Sequence, residues 1–426
     1  MGSEKGLTMH NTNILETYGS KQRTTGSPCF YLTLLYLLFE YARPQSITDV
    51  SHLHLPAVMV IILAVALVFS RGISLSDRQT GLFISLLALM ALHIPLASNN
   101  YWALQNFRAM LLTFVAYLSV ITFINSLQRF MTLINVWLAV HFYLAVIGII
   151  RGGKGIGGFL FDENDLCMTM NMIIPFAFFS VMAEKSAIKK AVYVLLTILF
   201  ILTNVMTFSR GGFIGLAAVC IYCLIRSPRK LVSAVLVTLL IFSVLQYAPE
   251  KYWDRIQSIQ KGSSDSTGES RVFLWKLGLD IFLDNPVIGI GQGNFPFRSR
   301  EYEIAAGFEE GLDGTSRSGK VAHSLYITLL SELGLIGALL FFAMLYSNYK
   351  DTFSIRNALR GPADSAVSGR GKTRLLYLSY ALEASLIGYL ASGIFITVTY
   401  YPNFWLLTGF IVSMRRITER AGGSSA

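Results

Sequence analysis

The stretch GKVAHSLYITLLSELGLIGALLFF, from Gly319 to Phe342, decides the class of fold because a polar loop passes directly into a long apolar run. A helix that crosses a bilayer needs about 20 predominantly apolar residues, and this run supplies them. His323 stands at its start and Glu332 in its middle. Polar side chains are costly in such a segment, so each requires a partner or a function.

The rest of the chain has the same character. Hydrophobic residues make up 53% of the 426 positions and charged residues 14%, with a mean hydropathy of +0.54. A soluble chain of this length carries more charge on its surface, and here the apolar residues form uninterrupted blocks. The pattern predicts an all-α polytopic membrane protein with about twelve transmembrane helices. Their approximate bounds are 29–42, 53–70, 80–97, 104–124, 130–150, 166–182, 191–208, 211–225, 231–248, 324–347, 376–395 and 402–414.

The distribution of basic residues gives an independent test of this topology. With both termini placed inside, the inner segments hold 21 of the 35 lysines and arginines, whereas the short outer connections hold five. This is the bias expected of cytoplasmic loops. The net charge of +10 is therefore interpreted as setting topology, and no nucleic-acid partner is predicted.

The spans divide the chain into segments. A cytoplasmic tail, 1–28, precedes the first nine transmembrane helices, 29–248. An outward-facing loop, 249–323, separates these from the last three transmembrane helices, 324–414. A flexible, basic cytoplasmic loop, 348–374, is predicted to join two of those three, and a second cytoplasmic tail, 415–426, follows the last span. The first tail is polar and lacks the apolar core of a signal peptide, so the first block is expected to be retained as a span.

The outward-facing loop contains a candidate interfacial helix and a glycine-rich turn. The stretch ESRVFLWKLGLDIFLDNP, residues 269–286, mixes apolar and charged residues, which favours a helix lying on the membrane and ending near Pro286. Gly289, Gly291 and Gly293 follow. No strand precedes them, so they are predicted to serve a turn or close packing rather than a phosphate cradle.

Two arginines are candidates for binding an anion. Arg210 lies at the outer end of a hairpin and is followed by two glycines, which permit close approach of a ligand. A guanidinium fits phosphate oxygens, so a phosphorylated ligand is predicted, with snorkelling to lipid headgroups as the alternative. Arg271 lies on the predicted interfacial helix, where its own position indicates only a surface role.

His323 and Glu332 have different interpretations. A histidine at the outer mouth of a span is suited to accept a proton from a hydroxyl, and an interfacial role in water is the equal alternative. A helix regular from His323 would carry Glu332 about 14 Å further, near mid-membrane and on roughly the opposite face. Glu332 is therefore predicted to be structural, hydrogen-bonded to another span or protonated.

An acidic group precedes the sixth span. It comprises Asp162, Glu163, Asn164 and Asp165, of which Asn164 or Asp165 is predicted to cap the following helix. Binding an acceptor or a divalent cation is the alternative. No compact run of acidic positions matches a metal loop, so no metal site is predicted.

Three pieces of the C-terminal half resemble the O-antigen ligase and Wzy-type polymerase superfamily of bacterial envelopes. They are SRGGFIGL at 209–216, SRVFLWKLGLDIFLDNPVIGIGQGNF at 270–295 and AHSLYITLLSELGLIG at 322–337. Ser324 follows the histidine where many members have Asn. The resemblance implies a multi-helical fold related to lipid-carrier (GT-C-like) glycosyltransferases.

The resemblance also implies an activity. Such enzymes transfer a glycan from undecaprenyl diphosphate, on the outer (periplasmic) face of the inner membrane, without a metal or other cofactor. Arg210 and Arg271 would match the arginines that bind the diphosphate, and His323 the histidine that activates the acceptor hydroxyl. Glu332, Asp162 and Asn164 would have supporting roles.

Three functions follow in order of preference. The first is an O-antigen ligase-like, inverting glycosyltransferase of lipopolysaccharide or envelope polysaccharide biosynthesis, whose acceptor is a glycan, lipid A-core or a protein. The second is a Wzy-type polymerase of O-antigen or exopolysaccharide repeat units. The third is a transporter of an anionic solute, although the paired interrupted helices typical of many transporters are not evident.

Overall fold

A computed structural model describes residues 27–46, 53–70, 73, 75–228, 230, 266–305, 320–360 and 369–423 of the chain. Within these ranges the long regular elements are thirteen α-helices. They are α1 (Ser27–Leu37), α2 (Leu55–Val68), α3 (Arg78–Leu96), α4 (Asn100–Phe123), α5 (Leu127–Ile150), α6 (Glu163–Ala183), α7 (Ala187–Met206), α8 (Arg210–Arg226), α9 (Ser266–Asp284), α10 (Phe295–Ala305), α11 (Leu325–Arg360), α12 (Gly369–Ser392) and α13 (Pro402–Gly423). A short π-helix, Leu38–Ala42, continues α1.

Seven of these helices are long and apolar enough to cross a membrane, which agrees with a polytopic membrane protein. They are α3, α4, α5, α6, α7, α11 and α12, while α2 is a shorter apolar helix. The other described spans of the sequence analysis are also helical. The predicted span 231–248 lies outside the described residues, so the number twelve stays a prediction.

Helix α6 forms the centre of the bundle. Its residues from Asp165 to Phe179 are all buried, because the helix is apolar on nearly every side. A helix of this kind is stable only when other helices surround it, and α7, α8 and α12 pack against it. The starts of α6 and α8 are thereby held close together.

Ion pairs join several of the segments predicted to be inside. Asp77, before α3, pairs with Arg415 at 2.6 Å and with Arg416, both on α13. Glu184, after α6, pairs with Arg374 of α12 at 2.6 Å. The N–H groups of Ser186 and Lys185, together with Arg374, lower the pKa of Glu184 to about 2. These segments therefore lie at one end of the bundle.

The predicted basic connection 348–374 is largely helical. Helix α11 continues to Arg360 and α12 begins at Gly369, so the expectation of one flexible loop is wrong for the described part. The extension of α11 is held by Asp351, whose carboxylate accepts hydrogen bonds from Arg415 at 2.9 Å and from Gln79 at 2.7 Å. These contacts to α13 and α3 provide the reason for the longer helix.

At the opposite end, α9 and α10 lie against α11. A separate apolar cluster holds them there, formed by Leu274, Leu277, Ile281, Ile290, Phe295 and Ala322. Other apolar side chains of α9, among them Leu279 and Leu283, remain exposed. The predicted helix is present and ends at Asp284, two residues before Pro286, while its position on the membrane surface stays a prediction.

Candidate active site

Arg210 is the first residue of α8, and a chain of hydrogen bonds fixes the backbone around it. Ser209 caps the helix by accepting from the Gly212 N–H at 3.0 Å. The Ser209 hydroxyl donates to Asn164 Oδ1 at 2.7 Å. Asn164 in turn donates its backbone N–H to Asp162 Oδ1 at 2.7 Å. Arg210 therefore follows a cap that is bonded to the acidic start of α6.

The cap of α6 differs from the expectation. Asp162, rather than Asn164 or Asp165, is the N-cap residue, because its carboxylate accepts the Asn164 N–H and the helix begins at Glu163. Asp165 instead is buried, and the Tyr401 hydroxyl lies 3.5 Å from its carboxylate. The predicted cap lay two or three residues after the observed one, because Asp and Asn are both good N-cap residues and this acidic group contains several of them.

Arg271 and His323 come together through a tryptophan. Trp275, one turn after Arg271 on α9, donates its indole N–H to the Ala322 carbonyl at 3.1 Å. Ala322 immediately precedes His323, so the bond joins α9 to the loop that carries the histidine. The positive charge of Arg271 acts on the His323 imidazole.

His323 occupies an unusual backbone conformation. Its φ is 47°, in the left-handed region that residues other than glycine rarely adopt. The next helix begins two residues later, where the Leu325 N–H donates to the Gly393 carbonyl at 2.7 Å. Strain of this kind persists only where the surroundings fix the backbone, and it is frequent at functional sites.

The electrostatic surroundings keep the imidazole neutral. Burial lowers the pKa of His323 from its usual 6.5, and the charges of Arg271 and Lys320 lower it further, while Asp162 acts in the opposite direction. A neutral imidazole at pH 7 has a lone pair that can accept a proton. The same interactions show that Asp162 lies close enough to His323 for its charge to be felt.

Phe395 links the two arginine-bearing helices. A Cβ at Gly211, next to Arg210, would lie 2.8 Å from Phe395 Cβ, and the Phe395 and Trp275 ring centroids are 5.8 Å apart. Gly211 thus permits α8 to approach the aromatic pair that joins α9 to the segment before α13. The structure therefore brings the starts of α6 and α8, the first described turns of α9 and the His323 loop to one end of the bundle.

The glycine-rich turn inserts into a break in α11. Gly334 has φ of 62°, which interrupts the helix. The exposed backbone groups pair with the turn: Gly291 N–H donates to the Glu332 carbonyl at 2.8 Å, and Leu335 N–H donates to the Pro286 carbonyl at 2.8 Å. A Cβ at Gly289 would lie 2.5 Å from the Glu332 carbonyl carbon. The glycines thus serve close packing, as predicted. The turn also supplies hydrogen-bond partners for the backbone groups that the break in α11 exposes, which lipid could not do.

Glu332 ties this turn to the segment before α13. Its carboxylate accepts hydrogen bonds from Gly293 N–H at 2.7 Å, Phe295 N–H at 3.0 Å and the Tyr400 hydroxyl at 2.8 Å. The side chain is 2% exposed. These partners lie in the glycine-rich turn, at the start of α10 and just before α13, whereas the sequence analysis expected a partner on another span. The assumed regular helix from His323 is wrong, since α11 begins at Leu325 and breaks at Gly334.

Sequence reasoning did not find these partners. The Tyr400–Glu332 bond and the Asn164–Ser209 bond each link residues far apart in the chain, and no local motif marks either bond.

Among the described residues, no group of three or more His, Cys, Asp or Glu side chains is arranged to hold a metal ion.

Comparison with known proteins agrees with the motifs. The O-antigen ligase family model matches residues 195–342, which include Arg210, Arg271, His323 and Glu332. No curated protein matches the chain. Residues 195–342 are therefore similar to the O-antigen ligase family, and the resemblance to the O-antigen ligase and Wzy-type polymerase superfamily is confirmed.

Proposed function

We propose that this protein transfers a glycan from undecaprenyl diphosphate to an acceptor hydroxyl on the periplasmic face of the inner membrane, as an O-antigen ligase-like enzyme. The observation that carries the proposal is the hydrogen bond from Trp275 to the Ala322 carbonyl, which joins the helix of Arg271 to the loop of His323 within the matched residues 195–342. In this assignment the bundle end with His323 faces the periplasm, and the end with the ion pairs of Asp77 and Glu184 faces the cytoplasm.

Arg210 and Arg271 bind the donor diphosphate in this proposal. A guanidinium offers several N–H donors in a planar fork, and this geometry fits phosphate oxygens. As the glycosidic bond breaks, negative charge grows on the diphosphate, and two fixed positive charges stabilise it more in the transition state than in the ground state. Both residues are half-buried, which strengthens the interaction relative to bulk water.

His323 acts as the general base. The acceptor hydroxyl gives its proton to the imidazole, and its oxygen forms a bond to the anomeric carbon. The bond from that carbon to the diphosphate oxygen breaks, and its electron pair leaves with the undecaprenyl diphosphate. Direct displacement inverts the anomeric configuration. The imidazolium then loses its proton to water, which regenerates the neutral base.

A Wzy-type polymerase is the second candidate, because the matched domain fits either activity. The chemistry would be the same, and the acceptor would be another carrier-linked repeat unit. Incubation of membranes with carrier-linked repeat units alone separates the two. A ladder of longer carrier-linked glycans indicates a polymerase, whereas a ligase requires a separate acceptor.

The test is complementation of a deletion strain, read by glycan-stained gels and by the amount of carrier-linked donor. His323→Asn keeps a polar side chain that tolerates the left-handed conformation but cannot accept the proton in the same way. We expect loss of attached or polymerised glycan and accumulation of carrier-linked donor. Arg298→Ala is the control, since Arg298 pairs with Glu301 at 2.7 Å and interacts with Tyr302, both close to it on α10. Normal glycan from His323→Asn, expressed at the wild-type level, would exclude His323 as the base.

A further inference from the structure

A large cavity opens at the same end of the bundle as His323. Its volume is about 980 Å³, and its wall is formed by α1 and its π-helical continuation, α2, α4, α10 and the glycine-rich turn. None of Arg210, Arg271 and His323 contributes to the wall. The cavity is therefore a second site, distinct from the one that holds the donor diphosphate in the proposed function.

The cavity borders the candidate active site. Val321, two residues before His323, is part of the wall, and so is Phe159, three residues before Asp162. Tyr401 also lines it, and its hydroxyl lies 3.5 Å from the Asp165 carboxylate on the first turn of α6. A ligand in the cavity can thus extend towards the imidazole.

The polar groups of the wall suit a ligand that both donates and accepts hydrogen bonds. Gln45 is 3% exposed; its Nε2 donates to the Phe39 carbonyl at 3.0 Å, whereas its Oε1 has no partner among the described residues. Arg43 Nε, two residues away, is a buried donor that likewise has no hydrogen-bond partner in the described part of the chain. Burying a polar group without a partner is unfavourable, so a ligand that pairs with these atoms is stabilised by them. Sugar hydroxyls can satisfy both kinds of group, whereas an anion only accepts.

Aromatic rings complete the wall. Trp102 is 47% exposed and Phe297 is 39% exposed, and both line the cavity. The apolar face of a sugar ring packs on such surfaces, while the indole N–H stays available for a hydroxyl. Asn106, held by its bond to the Trp102 carbonyl at 3.0 Å, adds an amide to the same wall.

We infer that this cavity binds the acceptor glycan and presents one of its hydroxyls to His323. The inference rests on the proposed function. Inverting displacement requires the acceptor oxygen to approach the anomeric carbon from the side opposite the diphosphate, so donor and acceptor need separate sites. Helix α9, which carries Arg271, is bonded to the His323 loop and contributes nothing to the cavity wall, whereas Val321 of that loop is part of the wall.

Photo-cross-linking in the purified full-length protein tests this assignment. Phe297→p-benzoylphenylalanine places the reactive group in the cavity wall, and Leu279→p-benzoylphenylalanine, on the exposed face of α9, is the control. The probe is the labelled mixture of oligosaccharides released by mild acid from the envelope of the source strain. We expect label at position 297, little at 279, and no loss of label when excess undecaprenyl diphosphate is added.

Two outcomes overturn the inference. Label that disappears with undecaprenyl diphosphate would assign the cavity to the donor. Label at neither position, or equally at both, would show that the cavity does not select glycan. These failures differ from a failure of the proposed function, which is normal envelope glycan from His323→Asn and requires no cross-linker.

A pair of neighbouring aromatic residues provides the matched variants. Trp102→Ala removes a ring from the wall, whereas Tyr101→Ala removes the adjacent ring, which lies outside the wall and is 62% exposed. In the cross-linking protein, Trp102→Ala should lower labelling at limiting probe roughly tenfold, equivalent to about 1.4 kcal/mol of binding. Tyr101→Ala should leave it unchanged, and both variants should still bind undecaprenyl diphosphate. Equal labelling of the two variants would contradict the role of Trp102.

Discussion

The His323 imidazole lies among charges of opposite sign, and these set the pH range in which it can act as a base. Its pKa is lowered first by burial and then by Arg271, while Asp162 raises it. The rate of transfer should therefore fall on the acid side only below pH 6.5, because His323 becomes protonated, and can no longer accept a proton, only as the pH falls through its lowered pKa. This decline is the acid limb of the pH–rate profile. Arg271→Gln should move this limb to higher pH, and Asp162→Asn to lower pH.

The measurement is the pH profile of transfer in proteoliposomes between about pH 4.5 and 8, the range that brackets a histidine pKa. The position of the acid limb on the pH axis is compared, because the proposed role of Arg271 in binding diphosphate predicts that Arg271→Gln also lowers the maximal rate. Arg298→Ala should leave the limb in place. Shifts in the same direction for Arg271→Gln and Asp162→Asn would show that another group titrates.

Glu332 has a different role, which is to hold the glycine-rich turn. Glu332→Gln replaces one accepting oxygen by an N–H₂ group that faces donors from Gly293, Phe295 or Tyr400. We expect a loss of about 1–3 kcal/mol in the free energy of unfolding, measured by thermal denaturation in detergent. Glu301→Gln, at an exposed ion pair, should change stability by less than about 0.5 kcal/mol. Wild-type stability with abolished transfer would instead place Glu332 among the reacting groups.

At the scale of elements, hydropathy predicts where helices lie but not how they break or meet. The predicted span 80–97 and the helix Arg78–Leu96 agree closely, because an apolar block in lipid must satisfy its backbone internally. The break at Gly334 was not predicted, since it depends on a turn more than 40 residues earlier that supplies the missing backbone partners. The family motifs singled out Arg210, Arg271 and His323, and the structure places the elements that carry them at one end of the bundle. The cavity wall, by contrast, combines α1, α2 and α4, which carry no motif.

The start of α8 is positioned by close packing against α6, and this can be tested with one methyl group. A Cβ at Gly212 would lie 1.7 Å from Cys167 Sγ and 2.8 Å from Cys167 Cβ, so in Gly212→Ala either Cys167 or the first turn of α8 must shift. Because Cys167 is itself fully buried, we expect the first turn of α8, and with it Arg210, to be displaced. Overpacking of this kind costs about 1–3 kcal/mol. We expect lower thermal stability and a large loss of transfer.

The matched control is Gly81→Ala on α3, where a Cβ meets nothing within 4 Å. It should be neutral or stabilising by about 0.5–1 kcal/mol, the ordinary difference between alanine and glycine in a helix. Adding Cys167→Ala to Gly212→Ala removes the clashing sulfur and should restore part of the transfer rate. Full activity of Gly212→Ala alone would show that Arg210 tolerates displacement.

At the scale of the whole molecule, the two ends of the bundle have different chemistry. One end is closed by ion pairs between Asp77, Glu184 and the arginines of α12 and α13. The other end contains the break in α11, the cavity and His323. The proposed transfer requires a site at one end of the bundle only, because the tail of the lipid carrier stays in the bilayer while its sugars remain in water on one side. The bias of basic residues predicts which end is cytoplasmic.

Labelling of engineered cysteines by a membrane-impermeant maleimide tests this orientation. Lys154 and Lys189 are both exposed, the first in the loop before α6 and the second on the first turn of α7, at opposite predicted ends. In intact spheroplasts Lys154→Cys should react, and Lys189→Cys should react only after the membrane is opened. The parent chain gives the background, since two of its cysteines are buried and two are partly buried. Reaction of Lys189→Cys alone in intact spheroplasts would invert the topology, place His323 in the cytoplasm and remove the periplasmic site on which the proposed transfer depends.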